Sequence, residues 1–167
     1  MKQFLALLTV LALTGMTSED LGNMVKPNDR VFAQRAYEGG YSEIYLARAV
    51  MKLTNDPSVH KFATRMIQDH SKNDEQLASI AQRMHVTVQK KPDADAVQEA
   101  KTLRHLPKDQ IAEQYLTYEE NDHQKDVTGY QNEAEESNVT PLRQYAKASL
   151  PVLKQHLKLA QDLLHAH

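Results

Sequence analysis

The chain has 167 residues, a length that fits a single domain. It contains no cysteine, which excludes disulfides, iron–sulfur clusters, thiolate zinc sites and cysteine nucleophiles. The 20 Lys and Arg residues nearly balance the 22 Asp and Glu residues, so we expect no strongly basic surface and no nucleic-acid partner.

The first predicted element is an export signal over residues 1–18. A single lysine precedes an apolar run over 4–13, which has the length of a signal-peptide core and is too short to span a bilayer. The alternative is a buried N-terminal helix. We predict export to a bacterial periplasm or the cell exterior, no transmembrane span in the mature chain, and an irregular lead-in over residues 19–28.

Four long amphipathic helices are predicted in the remaining domain, residues 29–167, because apolar residues recur there at steps of three and four. The first runs over 29–53, and the others begin near residues 56, 109 and 140. Asp56 followed by Pro57 is typical of a helix cap and first turn, and we interpret Thr140 and Pro141 in the same way.

The connection between the second and third long helices, residues 85–108, is unusually long and contains a predicted short helix over 94–106. An extended chain of this length can cross the full height of a bundle. We therefore predict an all-α, ferritin-like four-helix bundle with a long helix 2–helix 3 connection that carries a short extra helix. An up-and-down bundle with a long loop is the alternative.

Two features interrupt the long helices. The pair Gly39-Gly40 lies inside the first helix and predicts a close approach of another helix or a local distortion. Pro151 lies inside the fourth helix, where the missing backbone donor predicts a kink.

The apolar stripe of each long helix is interrupted near its middle by one side chain of a metal-ligand type. These four side chains, called the layer residues below, are Glu43, His70, His123 and His156. Counted from the predicted helix starts, the first three lie 14 residues in and the last lies 16 residues in. This corresponds to about 21–24 Å along each helix. They are therefore expected in one layer, whichever way each helix runs.

Three imidazoles and one carboxylate that converge in a helical core suit a single divalent ion, because burying them without partners would be costly. The ligand set predicts zinc as the first choice, and copper or iron would also fit. Ligand imidazoles must be neutral, so binding should weaken below about pH 6. The alternative is a metal-free layer whose hydrogen bonds fix the register of the helices.

Further polar residues near the layer residues are candidates to orient the ligand histidines from outside. They share a helix face with a layer histidine or directly precede one. They are Asp69, Asn73, Asp74, Glu119, Asp122 and Asp126. We expect at least half of them to be surface groups.

Several segments resemble a known family: GGYSEIYLA at 39–47, FATRMIQDHSKND at 62–74, DH at 122–123 and LPVLKQHLKLA at 150–160. Together they are similar to domain of unknown function 4142, a family of exported bacterial proteins often labelled outer-membrane proteins. Its recurring Glu, Asp-His, Asp-His and His fall on the layer residues and on the two aspartates before His70 and His123. The resemblance implies a ferritin-like bundle in the periplasm, or associated with the outer membrane, of a Gram-negative bacterium. It implies no activity.

The predicted function is therefore the non-enzymatic binding of one metal ion by an exported bundle. One alternative is a di-metal ferritin-like oxidoreductase, which needs a Glu from each of two helices and Glu-x-x-His on the other two. Only Glu120-x-x-His123 matches that pattern among the layer histidines, so a full second site would need Glu119 or Asp126 to turn inward. The other alternative is a metal-free structural or envelope-stress interaction protein.

Overall fold

The computed structural model describes residues 17–166. The chain in this range forms helices and no strand, which confirms the predicted all-α fold. The six helices are α1 Ser18–Met24, α2 Pro27–Val50, α3 Pro57–Arg83, α4 Ala94–His105, α5 Ile111–Glu136 and α6 Thr140–Leu164. None of these described helices is both long and apolar enough to cross a membrane. Apart from its last two residues, the predicted signal segment 1–18 lies outside the described residues.

The four long helices form two hairpins that pack against each other. Helix α2 pairs with α3, and α5 pairs with α6; the hairpins meet where α2 contacts α5 and where α3 contacts α6. The short helix α4 packs against α2 and α5. The bundle thus places one face of each long helix toward a common interior.

Two separate clusters of buried apolar side chains show the direction of each helix. The first cluster joins the starts of α2 and α6 to the ends of α3 and α5, with Tyr37, Met84 and Tyr130 among its members. The second joins the ends of α2 and α6 to the starts of α3 and α5, and includes Leu46 and Phe62. Helices α3 and α5 therefore run in the same direction, and the connection that carries α4 returns along the bundle. This is the ferritin-like crossover, and the up-and-down alternative is wrong.

The chain ahead of the bundle is helical, which corrects the prediction of an irregular lead-in over residues 19–28. Thr17 and Asp20 form a reciprocal capping box that starts α1, and Leu21 is buried in the first apolar cluster. Helix α2 begins at Pro27, where an Asp29 oxygen accepts a hydrogen bond from the Lys26 backbone N–H at 2.7 Å. A helix of seven residues, about two turns, is too short to show a clear apolar period, and only its cap could have indicated it.

The predicted helix starts agree with the structure to within about two residues. Asp56 caps α3 as predicted, and its side chain accepts from the backbone of Ser58 and Val59. Helix α6 differs, because Val139 is its N-cap and Thr140 is already helical. The helix continues through Pro151 without a break.

The glycine pair in α2 allows the close approach of α3. A Cβ atom at Gly40 would overlap the carboxylate of Asp74, whereas a Cβ atom at Gly39 would meet no atom within 4 Å. Asp74 is itself buried, so its side chain has little space to move aside. The close approach of another helix that the glycine pair predicts is thus found at Gly40 and not at Gly39. Helix α2 continues through both positions without a break.

We expect Gly40→Ala to lower the free energy of unfolding by about 1–3 kcal/mol through overpacking. Gly39→Ala is the matched control, and it should raise that free energy by up to about 1 kcal/mol because it removes a glycine from a helix interior. Urea unfolding measures both. The double variant Gly40→Ala/Asp74→Ala should recover part of the loss; equal effects of the two glycine substitutions would contradict the assigned contact.

Candidate metal centre

Each long helix of the bundle carries one of the layer residues into the interior, between the two apolar clusters. The exposed fractions are 1% for Glu43, 3% for His70 and 0% for both His123 and His156. Because none of the four side chains reaches solvent, their polar atoms must be satisfied by one another, by their neighbours or by a ligand. The structure thus brings together the four residues that the helix stripes predict.

The three imidazole rings face one another across the bundle axis. The ring centroids of His123 and His156 lie 5.2 Å apart, those of His70 and His156 also 5.2 Å, and those of His70 and His123 5.7 Å. One nitrogen from each ring can be chosen so that all three nitrogens lie within 4.8 Å of one another. The rings therefore converge on a common point.

The outer nitrogens of two rings fix where their protons lie. Nδ1 of His123 is 2.9 Å from the backbone oxygen of Glu119, and Nε2 of His156 is 2.9 Å from Oδ2 of Asp69. Since oxygen acceptors at these positions require an N–H donor, the inner nitrogens of both neutral rings carry lone pairs. These inner nitrogens, His123 Nε2 and His156 Nδ1, lie 3.2 Å apart. Two lone pairs at that distance repel unless a cation or a proton stands between them.

Glu43 completes the layer with a carboxylate that is close to two rings. Its Oε2 lies 2.8 Å from His70 Nδ1, and its Oε1 lies 3.3 Å from His123 Nε2. Neither oxygen is aligned for a hydrogen bond, and the second ring nitrogen of His70, Nε2, also has no partner among the described residues. Buried polar atoms that are close together but not aligned are typical of ligands arranged around an ion.

The separations fit the coordination sphere of a small divalent ion. Four ligands at about 2.0–2.1 Å in a tetrahedron lie about 3.3 Å from one another. The His123–His156 nitrogen separation of 3.2 Å and the Glu43–His123 separation of 3.3 Å match that edge. The third contact, between Glu43 and His70, is shorter at 2.8 Å.

Burial keeps the imidazoles neutral. It lowers the pKa of His123 to about 3, with a smaller contribution from His156, and it holds the pKa of His70 well below its usual value. The pKa of His156 is also lowered, chiefly by burial. Neutral rings are the form that binds metal.

Comparison with known proteins identifies the family. The sequence pattern that defines the domain of unknown function DUF4142 matches residues 15–163. The chain belongs to the DUF4142 family. No curated protein matches it. Among solved structures, the crystal structure of a DUF305 fragment from Deinococcus radiodurans is similar with a TM-score of 0.75 at 14% identity, over 85% of this chain and 98% of that one. At this identity the likeness supports the fold alone.

The remaining predicted residues of this DUF4142 domain are less exposed than expected. The expectation that at least half would be surface groups is wrong. Asp74 and Glu119 are buried, and Asp69, Asn73, Asp122 and Asp126 are half-buried. Their positions follow from helix geometry, since each lies on or beside the inward face of α3 or α5.

Asp69 is a predicted outer residue whose side chain forms a hydrogen bond with a layer histidine. It lies between His156 and Arg65, whose Nε is 3.2 Å from the same Oδ2 atom that accepts from His156. Burial alone raises the pKa of Asp69, but the hydrogen bonds from His156 and Arg65 outweigh it and leave that pKa below its usual value. The ionised carboxylate therefore fixes the tautomer and the orientation of the His156 ring.

Two contacts of the layer in this DUF4142 chain were not predictable from residue types. The backbone oxygen of Glu119, rather than a carboxylate, accepts the proton of His123. Gln155 joins the layer's outer contacts by accepting a hydrogen bond from Arg65 at 2.7 Å. In the sequence, only the position of Gln155 directly before His156 could have indicated that its side chain lies near the layer.

Asp69→Ala should weaken zinc binding by about 10–100-fold, because His156 loses the acceptor that orients it. Asp69→Asn keeps an oxygen acceptor and should lose less. Competition with a coloured zinc chelator measures both affinities. Asp162→Ala, which removes an exposed ion pair with Lys158 on α6, is the control and should bind as the native chain does. Equal affinities for Asp69→Ala and this control would show that Asp69 does not orient a ligand.

Proposed function

We propose that this protein holds one divalent transition-metal ion in the core of its bundle, with the four layer residues as ligands. The proposal rests on one observation above all. Two inner imidazole nitrogens, both without a proton, face each other at 3.2 Å beside a buried carboxylate that accepts no hydrogen bond from the described residues. A cation is the partner that satisfies this arrangement.

Zinc is the first choice for the ion. Three imidazole nitrogens and a neighbouring carboxylate form a ligand set that zinc prefers, and the same set would accept copper or iron. The absence of cysteine from the sequence leaves no thiolate to favour Cu(I).

Binding, rather than catalysis, is the proposed role. The layer supplies four protein ligands, and a catalytic zinc usually keeps one position open for water or substrate. The layer residues are also closed to solvent, with exposed fractions of 0–3%. A site of this kind suits the storage or buffering of an ion, or the use of an ion to stabilise the fold.

The proposed location is the periplasm, or the outer membrane as an associated protein. The signal-like composition of the first 18 residues supports this location. Fractionation of cells into cytoplasm, periplasm and membranes tests it, and recovery of an uncleaved chain from the cytoplasm would contradict it.

Elemental analysis of the native protein tests the proposed function. The protein is purified from its own cell envelope without chelator or affinity resin, and about one equivalent of metal per chain is expected. A quadruple variant with Leu or Met at the layer residues is the control and should contain none. A native chain that stays metal-free even in micromolar zinc or copper would exclude the proposal and favour the metal-free polar layer.

A further inference from the structure

A second group of carboxylates lies against the layer on the side of α5. Its members, called the α5 carboxylates below, are Glu119, Asp122 and Asp126. They recur at steps of three and four, so they lie on one side of α5, next to His123. None of the three is a layer residue, and the binding of one ion by the layer leaves the α5 carboxylates without a role.

The most deeply placed of them has only weak partners. Glu119 has an exposed fraction of 0%; its Oε2 lies 3.6 Å from Nδ1 of His123, and it interacts with the Tyr115 hydroxyl one turn earlier on α5. Among the described residues, neither oxygen of Glu119 is aligned for a hydrogen bond, and the buried Tyr115 hydroxyl is not aligned for one either. Burying a carboxyl group without an aligned hydrogen bond lowers the free energy of unfolding, whether the group is ionised or neutral. A bound ligand is one way in which proteins offset this loss.

The spacing of the oxygens is that of a cation site. One oxygen each from Glu43, Asp122 and Asp126 can be chosen within 4.8 Å of one another, and the same holds for ligand atoms of Glu43, Glu119 and His123. Glu43 belongs to both groups and to the layer, and its two oxygens allow it to face two ions at once. The α5 carboxylates could therefore form a second cation site next to the histidine site, with Glu43 as a shared ligand.

Charge in this region is unbalanced. Lys125 offsets part of the charge of Asp122 and Asp126, yet it forms no ion pair with either of them in the described part of the chain. Burial, and then the neighbouring Asp122, raises the pKa of Asp126 to about 7. Such crowding of acids is relieved when a divalent cation replaces protons.

A route from solvent reaches these carboxylates. Asp122 lines a cavity of about 200 Å³ together with Asp93, Asp95 and Lys125. Asp126 lines a second cavity, of about 470 Å³, on the other side. The acidic groups at the first cavity would attract a cation from outside.

We propose that a second divalent cation, of the oxygen-preferring class that includes Mn²⁺, binds to the α5 carboxylates and shares Glu43 with the histidine site. Its ligands are carboxylate oxygens, which suit a harder cation than the nitrogen-rich layer does. The two sites would therefore take different ions. The proposal deepens the proposed function, but it depends on Asp122 and Asp126, which are not layer residues.

The test uses the full chain loaded with one equivalent of zinc. Mn²⁺ is titrated in, and the electron paramagnetic resonance signal of free Mn²⁺ is followed. We expect one Mn²⁺ to bind per chain, and Asp122→Asn/Asp126→Asn to weaken its binding by at least about tenfold. The control is Glu133→Gln, which neutralises another buried carboxyl on α5 outside both groups. This variant should bind Mn²⁺ as the native chain does.

Two results would overturn the second site: no Mn²⁺ bound up to about 1 mM, the weak end of protein sites for hard cations, or equal affinity in the double aspartate variant. Should circular dichroism show that this variant is unfolded, Glu119→Gln alone replaces it, with the same expected loss.

His156→Ala separates the two proposals, because it should lose zinc and keep Mn²⁺. A chain that binds Mn²⁺ through Asp122 but binds no zinc would refute the one-ion function and leave the second site standing.

Discussion

His70→Ala is expected to lower the affinity for zinc by more than about 100-fold, since one of four ligands is lost. The His70 ring contacts the Glu43 carboxylate and lies 5.2 Å from the His156 ring, and its Nε2 has no hydrogen-bond partner among the described residues. An alanine leaves a gap at this position that water could enter. Competition with a chelator of known zinc affinity measures the loss.

The control for this experiment is His105→Ala. His105 is exposed on α4, where its ring Nδ1 donates a hydrogen bond to the Lys101 backbone oxygen at 2.7 Å. Its replacement removes an imidazole from the chain without touching the layer, so the zinc affinity should not change. If His70→Ala and His105→Ala bind zinc equally well, the layer is not the site.

Removing the ion from the native chain is expected to lower the melting temperature by about 10 °C. A ligand at about 1,000 times its Kd stabilises the folded state by about 4 kcal/mol. For a domain of this size, each kcal/mol shifts the melting temperature by roughly 2–4 °C. The ion joins one side chain from each of the four long helices, so its loss should affect the whole bundle.

Thermal unfolding followed by circular dichroism, with and without EDTA, measures this shift. His156→Ala provides the comparison, because EDTA should leave its melting temperature unchanged. A native chain whose melting temperature does not respond to EDTA or to added zinc would show that the layer stabilises the fold by its own hydrogen bonds.

The sequence was sufficient to predict the four long helices and the side chains that meet between them. A histidine or glutamate in an apolar stripe is conspicuous, and its depth along a helix can be counted, which is why the layer residues were identifiable. The same stripes contained Glu119, but a carboxylate at the edge of a stripe can turn either way. Only the packed bundle places it inside.

Other features depended on packing between distant parts of the chain. The first half of α2 buries Ala33, Tyr37 and Gly40, whereas steps of three and four in the sequence predict an inward stripe through Phe32, Ala36 and Gly39. In the folded chain the Asp74 side chain of α3 lies against Gly40, and the sequence could not show this local rotation of α2. The direction of α5 likewise followed only from the apolar clusters at each end.

The origin of pH dependence also differs from the sequence-based prediction. Unperturbed imidazoles would lose metal below about pH 6 by their own protonation. In the folded chain burial lowers the pKa of His123 to about 3, while burial, and then Asp126, raises the pKa of Glu43 well above its usual value. The proton that competes with the ion is therefore expected on Glu43.

The division of the apolar interior into two clusters has a consequence for how the bundle opens. Between the clusters, the layer residues meet across the axis through polar contacts. We therefore expect each end of the molecule to open partly on its own. An ion bound by the layer residues would link the two ends of the bundle, so that they would unfold as one cooperative unit. Amide hydrogen exchange would then proceed by global opening when the ion is present and by separate partial openings of each end when it is absent.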